Sequence, residues 1–172
     1  TLRGLDGNDD ITGDSGDVVV LLGQTWGAQA VLEFGTSNGY STLWLAEAVK
    51  RLGGRVTTIE LDEGKRTMAA TNFERAGLTP WIEQLAGEAG SLLPCLPTAG
   101  YQLIFLDSDR RHYQAWWPEI QRLLAPRGLL VVDNAISHED EMREWMAQVR
   151  RDPDFLTSLV PVGKGEFLVV RC

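Results

Sequence analysis

The stretch VLEFGTSNGYSTLWLA, residues 31–46, decides how the rest of the chain is read. An apolar run ends in Glu33 and Phe34, a loop holding Gly35 and Gly39 follows, and a helix-like stretch opens near Ser41. Strand, glycine loop and helix together make a ligand-binding βα unit. Glycine lets the backbone come close to a ligand, and the first turn of the helix offers N–H groups with no partner inside the helix. Single residues exclude two versions of such a loop. A phosphate-binding GxxxxGK loop needs a lysine that is absent here. A dinucleotide-binding GxGxxG loop needs glycine where Ser37 stands. What remains is a loop for a nucleoside without a phosphate, and a helix N-terminus suits a carboxylate as well as it suits a phosphate.

Outward from this loop the chain alternates. AVLEFG (30–35), RVTTIEL (55–61), WIEQLAG (81–87), YQLIFLD (101–107) and GLLVVDN (128–134) read as strands. Several are near-continuous apolar runs, as expected of parallel strands covered on both faces. Helices are expected over 41–52, ending at Gly53 and Gly54, and over 62–76, ending at Gly77. Tyr113, Trp116, Trp117, Ile120 and Leu124 form one helical stripe, and Met142, Trp145, Met146 and Val149 form another, with Ser137 and Asp140 as its capping box. TSLVPVG (157–163) and GEFLVVR (165–171) have almost nothing between them. Parallel strands need a crossover of about a dozen residues, so this pair must be an antiparallel hairpin. The expectation is one α/β domain over 1–172. Its sheet is doubly wound, Rossmann-like and seven-stranded, with five parallel strands plus a C-terminal antiparallel hairpin and helices on both faces.

Residues 1–16 read as a loose Gly- and Asp-rich arm. Asp6, Asn8, Asp10, Asp14 and Asp17 come close to calcium-loop spacing, but Ile11 stands where such a loop requires glycine. A helix near 17–29 would cover the sheet edge or pack on a twin, which leaves a homodimer open. The net charge of −8 over 172 residues argues against a nucleic-acid groove and an anionic membrane surface. Cys95 and Cys172 lack zinc-site spacing. No apolar run approaches the roughly 20 residues of a membrane helix, and no leader is visible, so a cytoplasmic protein is expected.

In a doubly wound sheet, ligands sit at the carboxyl ends of the strands. The first tip offers Glu33 and then Gly35, Thr36, Ser37, Gly39 and Ser41. The second ends in Glu60 and Leu61, placed to accept from ribose hydroxyls. The third runs into Gly87, Glu88, Ala89 and Gly90, small enough to leave room for a flat ring. The fourth ends in Asp107, Ser108 and Asp109, and the fifth in Asp133 and Asn134. If the last two strands are neighbours, Asp107, Asp133 and Asn134 bring hard oxygen donors together, as Mg²⁺ or another divalent cation prefers; helix capping is the alternative use of these residues.

These ordered motifs, EFGTSNGYS (33–41), TIELD (58–62), AGEAGSLLP (86–94), FLDSDRRHY (105–113) and LLVVDNAISH (129–138), resemble the class I S-adenosylmethionine-dependent O-methyltransferases, in particular the catechol and caffeoyl-CoA branch. The likeness runs over about residues 30–171. It implies that the glycine loop holds the amino-acid end of the methyl donor, that Glu60 takes the ribose hydroxyls, and that residues 87–90 border the adenine. It further implies that Asp107 and Ser108 adjoin the donor and that Asp107, Asp133 and Asn134 hold the metal. The implied reaction is methyl transfer to a hydroxyl of a small-molecule acceptor. The family motif places a basic lysine three residues after Asp107, where this chain has Arg110. Guanidinium, with a pKa above about 12, is no base at neutral pH, but it can orient an anionic substrate. His138, and second to it His112, are the local candidates for the proton. The stretch after Asn134 is also short for the family. Two other readings stand beside this one: a metal-independent N- or C-methyltransferase, and a non-catalytic S-adenosylmethionine-binding protein.

Overall fold

The computed structural model describes residues 23–24 and 26–172. The expected arm over 1–16, its calcium-like acid spacing and most of the expected helix over 17–29 lie outside the described residues. Along the chain come β1 (Ala30–Phe34), α1 (Tyr40–Lys50), β2 (Arg55–Glu60), α2 (Glu63–Ala76), β3 (Ile82–Ala86) and the single turn α3 (Ala89–Leu92). These are followed by β4 (Tyr101–Leu106), α4 (Tyr113–Leu123), β5 (Leu124–Val132), α5 (Glu139–Arg151), β6 (Phe155–Val160) and β7 (Glu166–Arg171). One seven-stranded sheet runs β3-β2-β1-β4-β5-β7-β6. The first five strands are parallel, and β7 is antiparallel to both β5 and β6. The doubly wound sheet and terminal hairpin expected from the sequence are therefore present.

Alternation along the strands builds two cores. Val31, Leu103, Phe105, Leu129 and Val131 pack with α1 and α2 residues such as Leu45, Val49 and Phe73. Leu32, Phe34, Ile104, Leu106, Leu130 and Val132 pack with Trp117 and Ile120 of α4 and Trp145 and Val149 of α5. Each such fully buried side chain contributes about 1.5–3 kcal/mol. The aromatic stripes are core: Trp145 lies edge-on to Trp117 and to Phe167. Helix α2 ends at the expected Gly77 and starts from a cap that was not foreseen. Asp62 accepts from the Lys65 N–H at 2.8 Å, and Gly77 closes the helix at φ +68°.

Two expectations are corrected. Strand β5 begins at Leu124, not at Gly128, because Leu124 already pairs with Tyr101 before the register shifts and Leu129 pairs with Leu103. The slack is taken up around Arg127, whose φ is +61°. Helix α5 has no capping box: its N-cap is His138, which makes no side-chain capping bond. Ser137 instead donates to the Asn134 carbonyl at 3.3 Å, and Asp140 pairs with Arg143.

The chain reverses its winding between β1 and β4, the central neighbours of the sheet. A crevice opens at such a switch point, outside the strand ends.

Candidate active site

A cavity of about 750 Å³ fills that crevice, lined by residues from the tips of β1 to β5 and from the turn between β6 and β7. Its first wall is the glycine loop. Gly35 has φ +92°, and a Cβ there would lie 2.2 Å from the Asp107 carbonyl, so only glycine lets the loop rest against the tip of β4. The Ser37 N–H donates to Glu60 Oε2 at 2.9 Å, and the Asp62 N–H donates to Oε1 at 3.0 Å. Two backbone groups thus fix the Glu60 carboxylate on the cavity wall, with acceptor capacity left over.

Under the loop, Glu33 is completely buried. Its carboxylate accepts from Ser41 Oγ at 2.5 Å, from Thr58 Oγ1 at 2.6 Å and from Thr42 Oγ1. Burial raises its pKa from 4.5 to about 7, against the pull of these three hydroxyls. Glu33 ties β1, β2 and the first turn of α1 into one unit.

At the third tip Glu88 caps α3. It accepts from the Gly90 and Ser91 N–H groups, both at 2.8 Å, and these bonds hold its pKa below the usual carboxylate value. The adjoining wall is flat: His112 stacks on Trp116 at 5.2 Å and 18°, and Trp116 leans on Phe34. Gly90 lies beneath this wall, where a Cβ would come within 2.8 Å of Trp116 Nε1.

The far end is charged. Asp107, Ser108, Asp109, Arg110, Asp133, Asn134 and Lys164 line it. Asp109 is bound to Arg111 through Nε at 2.8 Å and Nη2 at 2.5 Å, which drops its pKa to about 2. Tyr113 is buried and donates to the Ser108 carbonyl at 3.1 Å, and burial pushes its pKa up to about 12. Asp133 is buried and receives the Asn134 N–H at 2.6 Å; burial raises its pKa despite nearby Arg110 and Lys164. Asn134 adopts φ +63° and brings its amide to 3.4 Å from Asp107 Oδ1. Behind Asp133 lies Glu166, fully buried and, among the described residues, with no hydrogen-bond donor to it. Burial and the Asp133 charge raise its pKa to about 9, so at neutral pH it is an acid that donates its own proton to Asp133.

The cavity unites Gly35, Thr36, Ser37, Ser41, Glu60, Leu61, Gly87, Glu88, Ala89, Asp107, Ser108, Arg110, Asp133 and Asn134. Three residues expected at the site lie elsewhere. Gly39 faces Phe73, whose ring would be 2.4 Å from an added Cβ, and Gly90 backs the flat wall. His138 sits at the start of α5 with Nδ1 2.8 Å from Ser137 Oγ, away from the lining. Lys164 and Glu166 were not foreseen. Both reach the site only because β7 lies beside β5, with Val132 opposite Phe167.

Sheet order, hairpin and strand-tip cavity together define the methyltransferase class of α/β proteins. The O-methyltransferase family matches residues 6–172, and the chain belongs to that family. It is 36% identical over 129 residues to a catechol O-methyltransferase of Niastella koreensis. That match covers 73% of this chain but 58% of the relative, so the chain spans less than two thirds of its length. The cofactor-bound structure of Rv0187 from MTB superposes with a TM-score of 0.88 at 27% identity, over 96% of this chain and 83% of that one. TomG, an O-methyltransferase of tomaymycin synthesis from Streptomyces achromogenes solved with SAM, gives 0.82 at 28% identity, over 91% and 79% of the two chains. Among the described residues, no helix is long and apolar enough to cross a membrane.

Proposed function

We propose that this chain transfers a methyl group from S-adenosylmethionine to a hydroxyl of a small acceptor, assisted by a divalent cation. The observation that carries this reading is the shape of one cavity. The glycine loop and Glu60 form one end, and Asp107 and the Asn134 amide meet 3.4 Å apart at the other. In this reading Gly35, Thr36, Ser37 and Ser41 receive the amino-acid part of the donor. Glu60 accepts from both ribose hydroxyls. Gly87, Glu88 and Ala89 border the adenine together with the His112–Trp116 wall. Asp107 and Ser108 lie beside the sulfonium.

The donor set at the far end fits a hard cation. Among the described residues, no group of three or more His, Cys, Asp or Glu side chains is arranged to hold a metal ion, so an amide must supply the third donor. A half-turn of the Asn134 amide puts its oxygen beside Asp107, and Asp133 lines the same pocket. Asp107, Asp133 and Asn134 would hold the cation, which when bound lowers the pKa of a hydroxyl so that its proton leaves at neutral pH.

The chain's remaining work is alignment. The acceptor oxygen donates a lone pair to the methyl carbon as the carbon–sulfur bond breaks, and the electron pair stays on sulfur as a neutral thioether. Sulfonium needs no protonation to leave, so holding both substrates in line supplies much of the rate. Arg110 orients the acceptor and does not take its proton.

Calorimetric titration with S-adenosylmethionine and S-adenosylhomocysteine, followed by methyl transfer to a panel of hydroxylated acceptors, tests this reading. Saturable donor binding and EDTA-sensitive turnover are expected. Asp133→Ala and Asp133→Asn should retain donor binding and lose turnover by more than about a hundredfold. Turnover that ignores EDTA would favour the metal-independent reading, with Arg110 and Lys164 supplying the positive charge. Absence of donor binding by the folded protein would refute the assignment.

A further inference from the structure

We propose that the acceptor is an anion: a hydroxyl compound bearing a carboxylate, which binds between Arg110 and Lys164. This inference rests on the methyl-transfer reading above and names the substrate class. Arg110 comes from the segment after β4 and Lys164 from the turn between β6 and β7, so the two cations stand on different walls of the charged end. Both line the same end of the cavity as Asp107 and Asp133, so an acceptor that reaches those acids passes the two cations.

Among the described residues neither Arg110 nor Lys164 forms an ion pair. Arg110 Nε is buried and has no hydrogen-bond partner. Asp109, the acid next to it in sequence, is held by Arg111 at 2.5 Å. A buried guanidinium N–H without an acceptor is costly unless a ligand completes it. Asp107 and Asp133, the acids that line the same end, are the residues assigned to the divalent cation. Once they are so engaged, the positive charge of Arg110 and Lys164 is left for the acceptor.

The overall charge of −8 sharpens the point. A protein of that charge repels anions at long range, so two unpaired cations at one mouth run against its general field. A planar guanidinium fork binds the two oxygens of a carboxylate side by side, and an ammonium from another wall adds a point charge. Lys164 is therefore a specificity-determining residue, the partner of Arg110 in selecting acceptors.

The test compares a dihydroxybenzoate with adjacent hydroxyls and its methyl ester, which share the reacting hydroxyls and differ in charge. The expected kcat/KM ratio favours the acid by about tenfold or more, mostly through KM. Lys164→Gln and Arg110→Gln should each pull that ratio toward one. Arg110→Lys should recover part of it, which a merely structural role would not produce. Equal use of acid and ester, or a ratio unmoved by Lys164→Gln, overturns the proposal. If no probe is methylated although S-adenosylhomocysteine binds, calorimetry of the dihydroxybenzoate on the S-adenosylhomocysteine-loaded protein decides. Binding that Lys164→Gln weakens about tenfold supports the anion site, and no binding overturns it. Failure of S-adenosylhomocysteine itself to bind removes the methyl-transfer reading and this inference with it.

Discussion

Glu33 and Glu166 are equally buried, each 0% exposed, and their surroundings set them apart. Glu33, on β1, collects three hydroxyl donors from Ser41, Thr42 and Thr58. Glu166, opening β7, receives none and faces Asp133. Burial lifts both from 4.5, but donors hold Glu33 at about 7 while a like charge drives Glu166 to about 9. Desolvation alone does not determine a buried acid's charge; its neighbours do. At the glycine-loop end the carboxylate is a structural hub. At the hairpin end the carboxylic acid is a neutral backing for Asp133.

This contrast predicts effects of opposite sign when each residue is made apolar. Glu33→Leu strands three hydroxyls around a buried leucine and should cost about 3–6 kcal/mol in urea unfolding at pH 7, with donor binding lost. Glu166→Leu strands no donor and removes a buried acid, and Asp133, which loses that proton, keeps the Asn134 N–H. At pH 8 it should leave stability unchanged or raise it by about 1–3 kcal/mol. Equal destabilisation by both would erase the distinction.

The pH dependence separates the two acids next. A carboxyl whose folded pKa is raised stabilises the protein fully below its unfolded value, and that stability is lost as pH climbs through the folded value. The window for Glu33 runs from 4.5 to about 7, and that for Glu166 from 4.5 to about 9. Above pH 7 Glu166 is the steeper contributor, with a slope of up to about 1.4 kcal/mol per pH unit. Unfolding midpoints measured in EDTA, without donor, should fall from pH 7 to pH 9 in the parent. They should fall much less in Glu166→Gln, whose amide keeps a hydrogen-bond donor toward Asp133 and does not titrate.

Glycines at the two ends extend the comparison to the backbone. Gly35 and Gly165 share the left-handed region, at φ +92° and +94°. A Cβ on Gly35 would meet the Asp107 carbonyl at 2.2 Å, which is backbone between two central strands. A Cβ on Gly165 would meet Ile136, at 2.4 Å from Cγ1 and 2.7 Å from Cβ, on an exposed segment past β5 that must shift as a whole to relieve it. Gly35→Ala should therefore cost about 2–3 kcal/mol and weaken donor binding. Gly165→Ala should cost about 1–2 kcal/mol, from its φ and from the shift of Ile136, and leave donor titration curves near the parent's.

The same division explains what could be read from the chain. Parallel strands announce themselves as apolar runs whose next residues face the strand-tip cavity, so Gly35, Glu60, Asp107 and Asp133 could be picked from local pattern alone. The TSLVPVG and GEFLVVR runs revealed a hairpin but not which of its strands lies against β5. That choice is tertiary, and on it depends whether Lys164 and Glu166, about thirty residues beyond Asp133, enter the site. Glu33 was visible as an acid ending an apolar run, but its hydroxyl partners, up to 25 positions away, were not. Gly39 and Gly90 were assigned to the ligand because glycine marks any close approach. Here the approaching groups are Phe73 and Trp116. The capping-box pattern at Ser137 gave way because Asn134 turns the chain at φ +63° and draws the Ser137 hydroxyl to its own carbonyl.

Asn134 links the two ends, and the smallest predicted effect isolates its two duties. Its backbone sits in the left-handed region, which asparagine tolerates better than alanine, and its amide reaches Asp107. Asn134→Ala should lose about 1 kcal/mol of stability from backbone strain and, in addition, the amide. Asn134→Gly loses the same amide but relieves the backbone, so its unfolding midpoint should return to within a few tenths of a kcal/mol of the parent's. Cation-dependent turnover should be absent from both. If glycine restored turnover together with stability, the turn would be all that Asn134 provides, and Asp107 and Asp133 would have to hold a cation without the amide.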